Sequence, residues 1–378
     1  MKKHFFAQLD EMIATLKTQG VEVIRLDIGS PDMPPHPDVV EIMQRAVARS
    51  DSHGYQRHIG PLEYRKAWTD MYARVFSVEL DPEREIVPLL GTKEGIFHLS
   101  QAVIEPGDTV LIPNPYYVTY VRGAEFAGGK PYYIPLLAEN HYLPELDKIP
   151  AEVADAAKLM WVNYPNNPLS ATAPLSFYEE LVDFAKAHKI LICADAAYSQ
   201  VYYGEEKPPS ILQVEGAMDV AIEFNSLSKS HNMAGWRVGA AVGNPSTLEK
   251  LLKLKTHADS GHFGPTLEAA SHAMGTEASW LQERNAVYRE RRDLIVSSLR
   301  KMGVDVKSPQ ASLYIWCPIP DGWTSEKFAL AMLEEANVSV APGTVFGSNG
   351  EGFVRISMTQ PKEEIAKAMS RLENWWKK

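Results

Sequence analysis

The segment DVAIEFNSLSKSHNMAGWRVGAAVG, residues 219–243, sets an apolar run, a small polar stretch around Lys229, and a second apolar run side by side. DVAIEF (219–224) and RVGAAVG (237–243) are short and almost continuously hydrophobic, the pattern of strands buried on both faces. The loop between them holds three serines, one lysine and a Trp-Arg pair. A solvated lysine needs no such setting, whereas a lysine that must react with a carbonyl does.

Similar runs recur on either side. IVPLL (86–90), DTVLIP (108–113), PYYIP (131–135), KLMWVN (158–163) and KILICAD (189–195) read as further strands. Helical patterns separate several of them. PLSFYEELVDFAKAHK (174–189) opens on proline and spaces its apolar residues for one face. KEGIFHLSQAVI (93–104) leaves the first run directly. Alternation of this kind predicts an α/β domain with a mostly parallel sheet over about residues 48–285. The last third reads differently. NAVYRERRDLIVSSLRKMG (285–303) is a long helix, followed by SLYIWCPIP, VSVAPGTVF and FVRISMT between further helical patterns. A smaller α+β domain is expected there, built from residues 1–47 and 286–378. Phe5, Phe6, Leu9, Met12, Ile13 and Leu16 fall at helical spacing, which predicts an N-terminal amphipathic helix rather than a signal peptide.

Composition excludes several classes. The 378 residues are 45% hydrophobic and 23% charged, as in an ordinary globular protein. A net charge of -10 argues against nucleic acid or an anionic membrane as partner. No apolar run approaches the ~18 residues a membrane span needs, so the cytoplasm is the expected location. Cys193 and Cys317 lie in apolar runs and make neither a disulfide framework nor a metal-ligand spacing, so no metal is expected. GxGxxG after the first strand, GxxxxGK[ST], HExxH and GxSxG are all missing.

The remaining signals sit where the strands end, the ligand edge of an open α/β sheet. LLGTKEGI passes from strand to helix through Gly91, Thr92 and Lys93. Backbone N–H groups at such a helix start suit a phosphate, though an ordinary connection reads the same way. CADAAYSQ ends a strand on Asp195, with Tyr198 close behind. That acid fits a helix cap or a carboxylate facing a protonated ring nitrogen. WVNYPNNPLSA holds Asn167 before Pro168, a turn or a donor to a ligand. Ser226, Lys229 and Arg237 complete the set. A reactive lysine, an arginine for phosphate, an acid for a pyridine nitrogen and a phosphate-cradling helix start are together the parts of a pyridoxal phosphate site.

From LDIGSPDMPPHP to GFVRISMTQP the chain resembles the fold-type I, class I/II pyridoxal-phosphate aminotransferases of the aspartate aminotransferase superfamily. The Asp195–Tyr198, Ser226–Lys229 and Lys229–Arg237 intervals match that family. The resemblance implies a seven-stranded, mostly parallel sheet and transfer of an amino group from an amino acid to a 2-oxo acid. It implies Lys229 as the Schiff-base lysine and proton carrier, and Asp195 as the acid at the ring nitrogen. Tyr198 and Asn167 would hydrogen-bond the cofactor's phenolic oxygen. Gly91, Thr92, Lys93, Ser226 and Arg237 would hold its phosphate, and Tyr117 would stack on its ring. Tyr55 would reach the phosphate of a neighbouring subunit, which implies a homodimer. Gly29 would lie beside the substrate, and Arg355 would clamp its α-carboxylate.

Two departures stand out. After Asn167-Pro168 the chain reads Leu169-Ser170 where the family usually has Thr-Gly, and serine tolerates positive φ less well than glycine. The second concerns the arginine that gives classical aspartate specificity well beyond the lysine: residues 238–283 hold no arginine. HADSGHFGP (257–265) fills that region, similar to bacterial aminotransferases of the LL-diaminopimelate type. Donor choice is therefore expected from this loop, with His262, and from Arg57 and His58. Aspartate, alanine or aromatic donors, another reaction of the fold such as carbon–sulfur lysis, and a non-enzymatic ligand sensor are the rival readings.

Overall fold

The computed structural model describes residues 5–377. In chain order the strands are β1 (Ile24–Arg25), β2 (Ile86–Leu89), β3 (Thr109–Asn114), β4 (Lys130–Pro135), β5 (Ala157–Asn163), β6 (Leu191–Asp195), β7 (Ala221–Ser226), β8 (Gly239–Gly243), β9 (Tyr314–Pro318), β10 (Val338–Ser339), β11 (Ala341–Pro342) and β12 (Phe353–Ser357). Seven of them form one sheet in the order β2-β8-β7-β6-β5-β3-β4. All pairings from β7 to β4 are parallel, and β8 alone runs against its neighbours. The expected mostly parallel α/β sheet is thus present.

Both faces of this sheet are covered. Val110 and Ile112 enter one hydrophobic cluster while Leu111 between them enters another. Trp161 and Val162 divide the same way. Period-2 alternation with apolar residues on both sides is why these strands read as unbroken hydrophobic runs. The two edge strands carry the prolines Pro88, Pro131 and Pro135, where a missing N–H is tolerated. Cys193 and Cys317 are buried and free.

The C-terminal part contributes an antiparallel sheet, β11-β12-β9, and the parallel pair β1-β10. Its long helix runs Ala278–Lys301, starting before the periodic stretch that announces it in the sequence. The N-terminal helix Phe5–Thr18 buries Leu9 and Ile13 against Val23 and Leu333. Leu333 belongs to the helix Ser325–Ala336, so the first helix joins the C-terminal part in space. No described helix is long and apolar enough to cross a membrane.

Candidate active site

Parallel pairing brings the ends of β5, β6 and β7 to one edge: Asn163 lies opposite Asp195, and Asp195 opposite Phe224. Beyond Ser226 the chain turns through the short helix Leu227–Ser230 and returns as β8, with Ser226 opposite Gly239. This reversal carries Lys229 and Arg237 on one hairpin. The Lys229 amine donates to the Gly29 carbonyl at 2.5 Å. Burial, reinforced by the charges of Arg355 and Arg237 and opposed by Tyr314 and Asp195, holds this amine below the ordinary lysine range. Its own carbonyl accepts from Arg284 at 2.7 Å, and the same guanidinium reaches the Gln200 carbonyl at 3.0 Å.

Asp195 is 6% exposed. It accepts from the Tyr120 hydroxyl at 2.8 Å and the Ala197 N–H at 3.3 Å, and its carbonyl accepts from Asn163 at 2.7 Å. Burial pushes the carboxyl up to about 6, against the pull of Tyr120, Ala197 and Lys229. Among the described residues no cation pairs with this acid at salt-bridge distance, Lys229 acting on it only from further off. Tyr120 stacks on Trp161 with ring centroids 4.8 Å apart, and Tyr117 meets Tyr120 edge-on at 5.6 Å.

At the helix Thr92–Val103 the cap residue Gly91 has φ 77° and no side chain caps the first N–H groups, so they stand open to an anion. A Cβ on Gly91 would lie 2.1 Å from Nη2 of Arg237. Arg237 donates to the carbonyls of Ala234 at 2.8 Å and Leu90 at 3.2 Å. Lys93 is exposed. The Ser226 hydroxyl is engaged with the chain, donating to the Val238 carbonyl at 3.0 Å and accepting from the Ser228 N–H at 3.1 Å.

Arg355, 6% exposed, donates to Oδ1 of Asn167 and to the Asp27 carbonyl, each at 2.8 Å. Its Nε is buried without a partner. The guanidinium lies over the rings of Tyr314 at 4.1 Å and Phe346 at 4.7 Å. Because Arg355 takes Oδ1 of Asn167, the Nδ2 of that residue is left as a donor. The Tyr198 hydroxyl bonds the Tyr314 hydroxyl at 2.8 Å.

Among the sequence candidates Tyr55 stands apart, its side chain 93% exposed. His262 is buried, with Nε2 2.9 Å from the Leu89 carbonyl, beside the Gly91 turn and unavailable to a donor molecule. Its loop is pinned by Lys255, which pairs with Asp259 at 2.6 Å and Glu94 at 3.4 Å. A Cβ on Gly261 would lie 3.5 Å from the Arg57 carbonyl and 3.7 Å from that of Gln56, so the two expected specificity segments run side by side. Sequence reasoning missed Tyr120, Tyr314, Arg284 and Asn163. Only Tyr120 left a trace, one helical turn beyond Tyr117.

Residues 21–372 match the family described as aminotransferase class I and II. The chain belongs to that family. This aminotransferase is 46% identical over 371 residues to the LL-diaminopimelate aminotransferase of Aquifex aeolicus, covering 98% of this chain and 96% of that protein. Its fold is similar to substrate-bound BacF from Bacillus subtilis, with TM-score 0.95 and 35% identity over 99% of this chain and 95% of the other. A mutant Thermus thermophilus aspartate aminotransferase matches with TM-score 0.93 at 27% identity, over 99% and 97% of the two chains. The enzyme uses pyridoxal phosphate. The residues fit that group: an uncapped helix start with Arg237 beside it, a buried acid with no salt-bridge partner among the described residues, and a buried amine.

Proposed function

We propose that this aminotransferase takes LL-diaminopimelate as amino donor and 2-oxoglutarate as acceptor, with the cofactor held at Lys229. The observation that carries the donor is full-length identity of 46% to a protein named for it. Chemistry agrees. Aspartate ends in a lone carboxylate that asks for a cation, and residues 238–283 hold no arginine. The far end of LL-diaminopimelate is an amino-acid zwitterion with no net charge, which neutral donors and acceptors can meet.

Pyridoxal phosphate supplies, when bound, an electron sink for the carbanion at the substrate's α-carbon. The chain's residues do the rest. Lys229, its amine kept low in pKa by burial, serves as attachment point and then as the base that moves the α-proton. Asp195 holds the ring nitrogen protonated, and Tyr120 fixes the carboxylate that does so. Tyr198 and Nδ2 of Asn167 donate to the phenolic oxygen. The N–H groups after Gly91 and the guanidinium of Arg237 bind phosphate; Ser226 and the exposed Lys93 shape that loop. Tyr117 covers the ring, Gly29 borders the substrate, and Arg355 takes the α-carboxylate in a two-point fork. Residues 48–285 are the proposed cofactor-binding unit and residues 1–47 with 286–378 the smaller one, but the helix Pro37–Val47 sets Val39 in the hydrophobic cluster of the large sheet, and the helix Ala278–Lys301 crosses the boundary at 285.

The working form is a cytoplasmic homodimer. The 93% exposed ring of Tyr55 is supported as a contribution to the partner's phosphate site, and Phe263, 41% exposed, is a further apolar surface for that contact. Sedimentation is expected to give a dimer at working concentration; an active monomer would refute it. For the donor, a coupled panel of LL-diaminopimelate, aspartate, alanine, glutamine and aromatic amino acids against 2-oxoglutarate should rank LL-diaminopimelate first. For the site, borohydride reduction and peptide mapping should place the label on Lys229, and a label on another lysine overturns it.

A further inference from the structure

Strand β9 carries one side chain from the smaller sheet into the space between Lys229, Tyr198 and Arg355. That side chain is Tyr314, 2% exposed. Its hydroxyl lies 2.8 Å from that of Tyr198, and the two rings meet edge-on at 5.7 Å. The Arg355 guanidinium sits over its ring at 4.1 Å. A Cβ on Gly29 would fall 2.0 Å from its hydroxyl oxygen, so Gly29 is a glycine because Tyr314 occupies that space. The main chain of Tyr314 is held as well: its carbonyl accepts from the Ser170 hydroxyl at 2.8 Å.

We infer that Tyr314 is a positioning residue for two site groups at once: its hydroxyl donates to Tyr198 and so fixes where Tyr198 points its own proton, and its ring holds the Arg355 guanidinium in place for a carboxylate. The inference rests on the reading of the site given above. Of two bonded hydroxyls, one must donate to the other. If Tyr198 spends its proton on the cofactor's phenolic oxygen, the Tyr198–Tyr314 bond is made with the proton of Tyr314. A donor that itself accepts a hydrogen bond is polarised into a stronger donor. The charges of Arg355 and Lys229 overcome the effect of burial and draw the Tyr314 hydroxyl below the ordinary tyrosine range, which makes it the better donor of the pair. For Tyr198 burial acts first and holds the proton on, with Tyr314 adding to it. Tyr314 thus links the carboxylate clamp to the phenolic-oxygen contact, although it is expected to touch neither ligand atom.

The test uses Tyr314→Phe, which keeps the ring and removes the hydroxyl, and Tyr314→Leu, which removes both. In the cofactor-loaded protein the pH midpoint of the visible absorbance change should rise in Tyr314→Phe. The direction follows because a weaker Tyr198 donor stabilises the anionic phenolic oxygen less, and the expected shift is about half a pH unit. Glutarate, a carboxylate without an amino group, should bind Tyr314→Phe within about twofold of the parent, and Tyr314→Leu about tenfold more weakly, as loss of a desolvated cation–ring contact implies. Pyridoxal phosphate titrated into the cofactor-free variants by fluorescence should bind within about threefold of the parent, because the phosphate cradle lies elsewhere. An unchanged or lowered midpoint in Tyr314→Phe overturns the hydroxyl role. Parent-like glutarate binding in Tyr314→Leu, or in Tyr314→Met should the leucine variant not fold, overturns the ring role. A borohydride label away from Lys229 sinks the site reading and this inference with it, whereas a label on Lys229 with an unmoved midpoint sinks this inference alone.

Discussion

Ser170 donates its hydroxyl to the carbonyl of Tyr314 at 2.8 Å, from a backbone at φ 57°. The family's usual glycine at this point would adopt that φ freely but could not make the bond. The departure in the Asn167–Ser170 turn is therefore compensated: strain in the left-handed region is offset by a tie between the large sheet's loop and strand β9. Asn167 keeps its place, bonded to Arg355.

Ser170→Ala keeps the strain and loses the bond, so it should destabilise the protein by about 1–2 kcal/mol. Ser170→Gly loses the bond and relieves the strain, and should cost less. Thermal unfolding of the two variants decides it: equal losses would show that the left-handed backbone carries no strain worth relieving, and a parent-like Ser170→Ala would show that the hydroxyl contributes nothing.

Asp195→Asn should act in opposite directions on stability and activity. The native carboxyl sits near 6, above its unfolded value, so the native state binds more protons between those two values. Its contribution is complete at low pH and is lost as pH rises through about 6. The cofactor-free variant, with no charge to bury, should gain on the parent by about 2–3 kcal/mol from pH 4 to pH 7. Taking the difference between the two proteins removes His231, which burial lowers in both; Glu223, raised first by burial, is also raised by the Asp195 charge and loses that part in the variant. The loaded variant should bind cofactor yet lose most of kcat. Calorimetry against pH and steady-state kinetics check the two halves.

Arg355→Lys should lower kcat/KM for every amino donor by a similar factor of ~10², because a point charge cannot copy the fork and about 3 kcal/mol of charge-assisted bonding goes with it. A donor panel is the measurement. Arg57→Ala should instead reorder the donors with the cofactor spectrum intact. His262, seated on the Leu89 carbonyl, should affect cofactor affinity more than donor ranking.

Gly91→Ala should weaken pyridoxal phosphate binding by tenfold or more. The added methyl would meet Nη2 of Arg237 at 2.1 Å and force a residue with φ 77° into strain. Fluorescence titration of the cofactor-free protein reads this directly.

Six strands of the large sheet were legible because burial on both faces leaves unbroken apolar runs; the edge strand β4 buries only Ile134 and was legible from its Tyr-Tyr-Ile run. The direction of β8 was not, since periodicity carries no arrow. The helix Ala278–Lys301 begins in ASWLQER, too polar to show its period before residue 285. The site intervals were visible because Ser226, Lys229 and Arg237 lie on one hairpin. Tyr314 was invisible for the opposite reason: it meets Tyr198 and Arg355 only through the docking of chain-distant sheets. His262 read as a residue that sets donor choice, and only the fold shows the carbonyl it rests on.

The pairing of Ser226 with Gly239 makes the loop from 226 to 239 a measured span between two fixed posts. Inserting or deleting one residue there would slip the hairpin by a step and turn every later side chain of β8 to the opposite face. A survey of engineered indels should find this loop the least forgiving stretch of the chain, while the turn at Glu205–Lys207, exposed and outside every strand, absorbs extra residues without loss of fold.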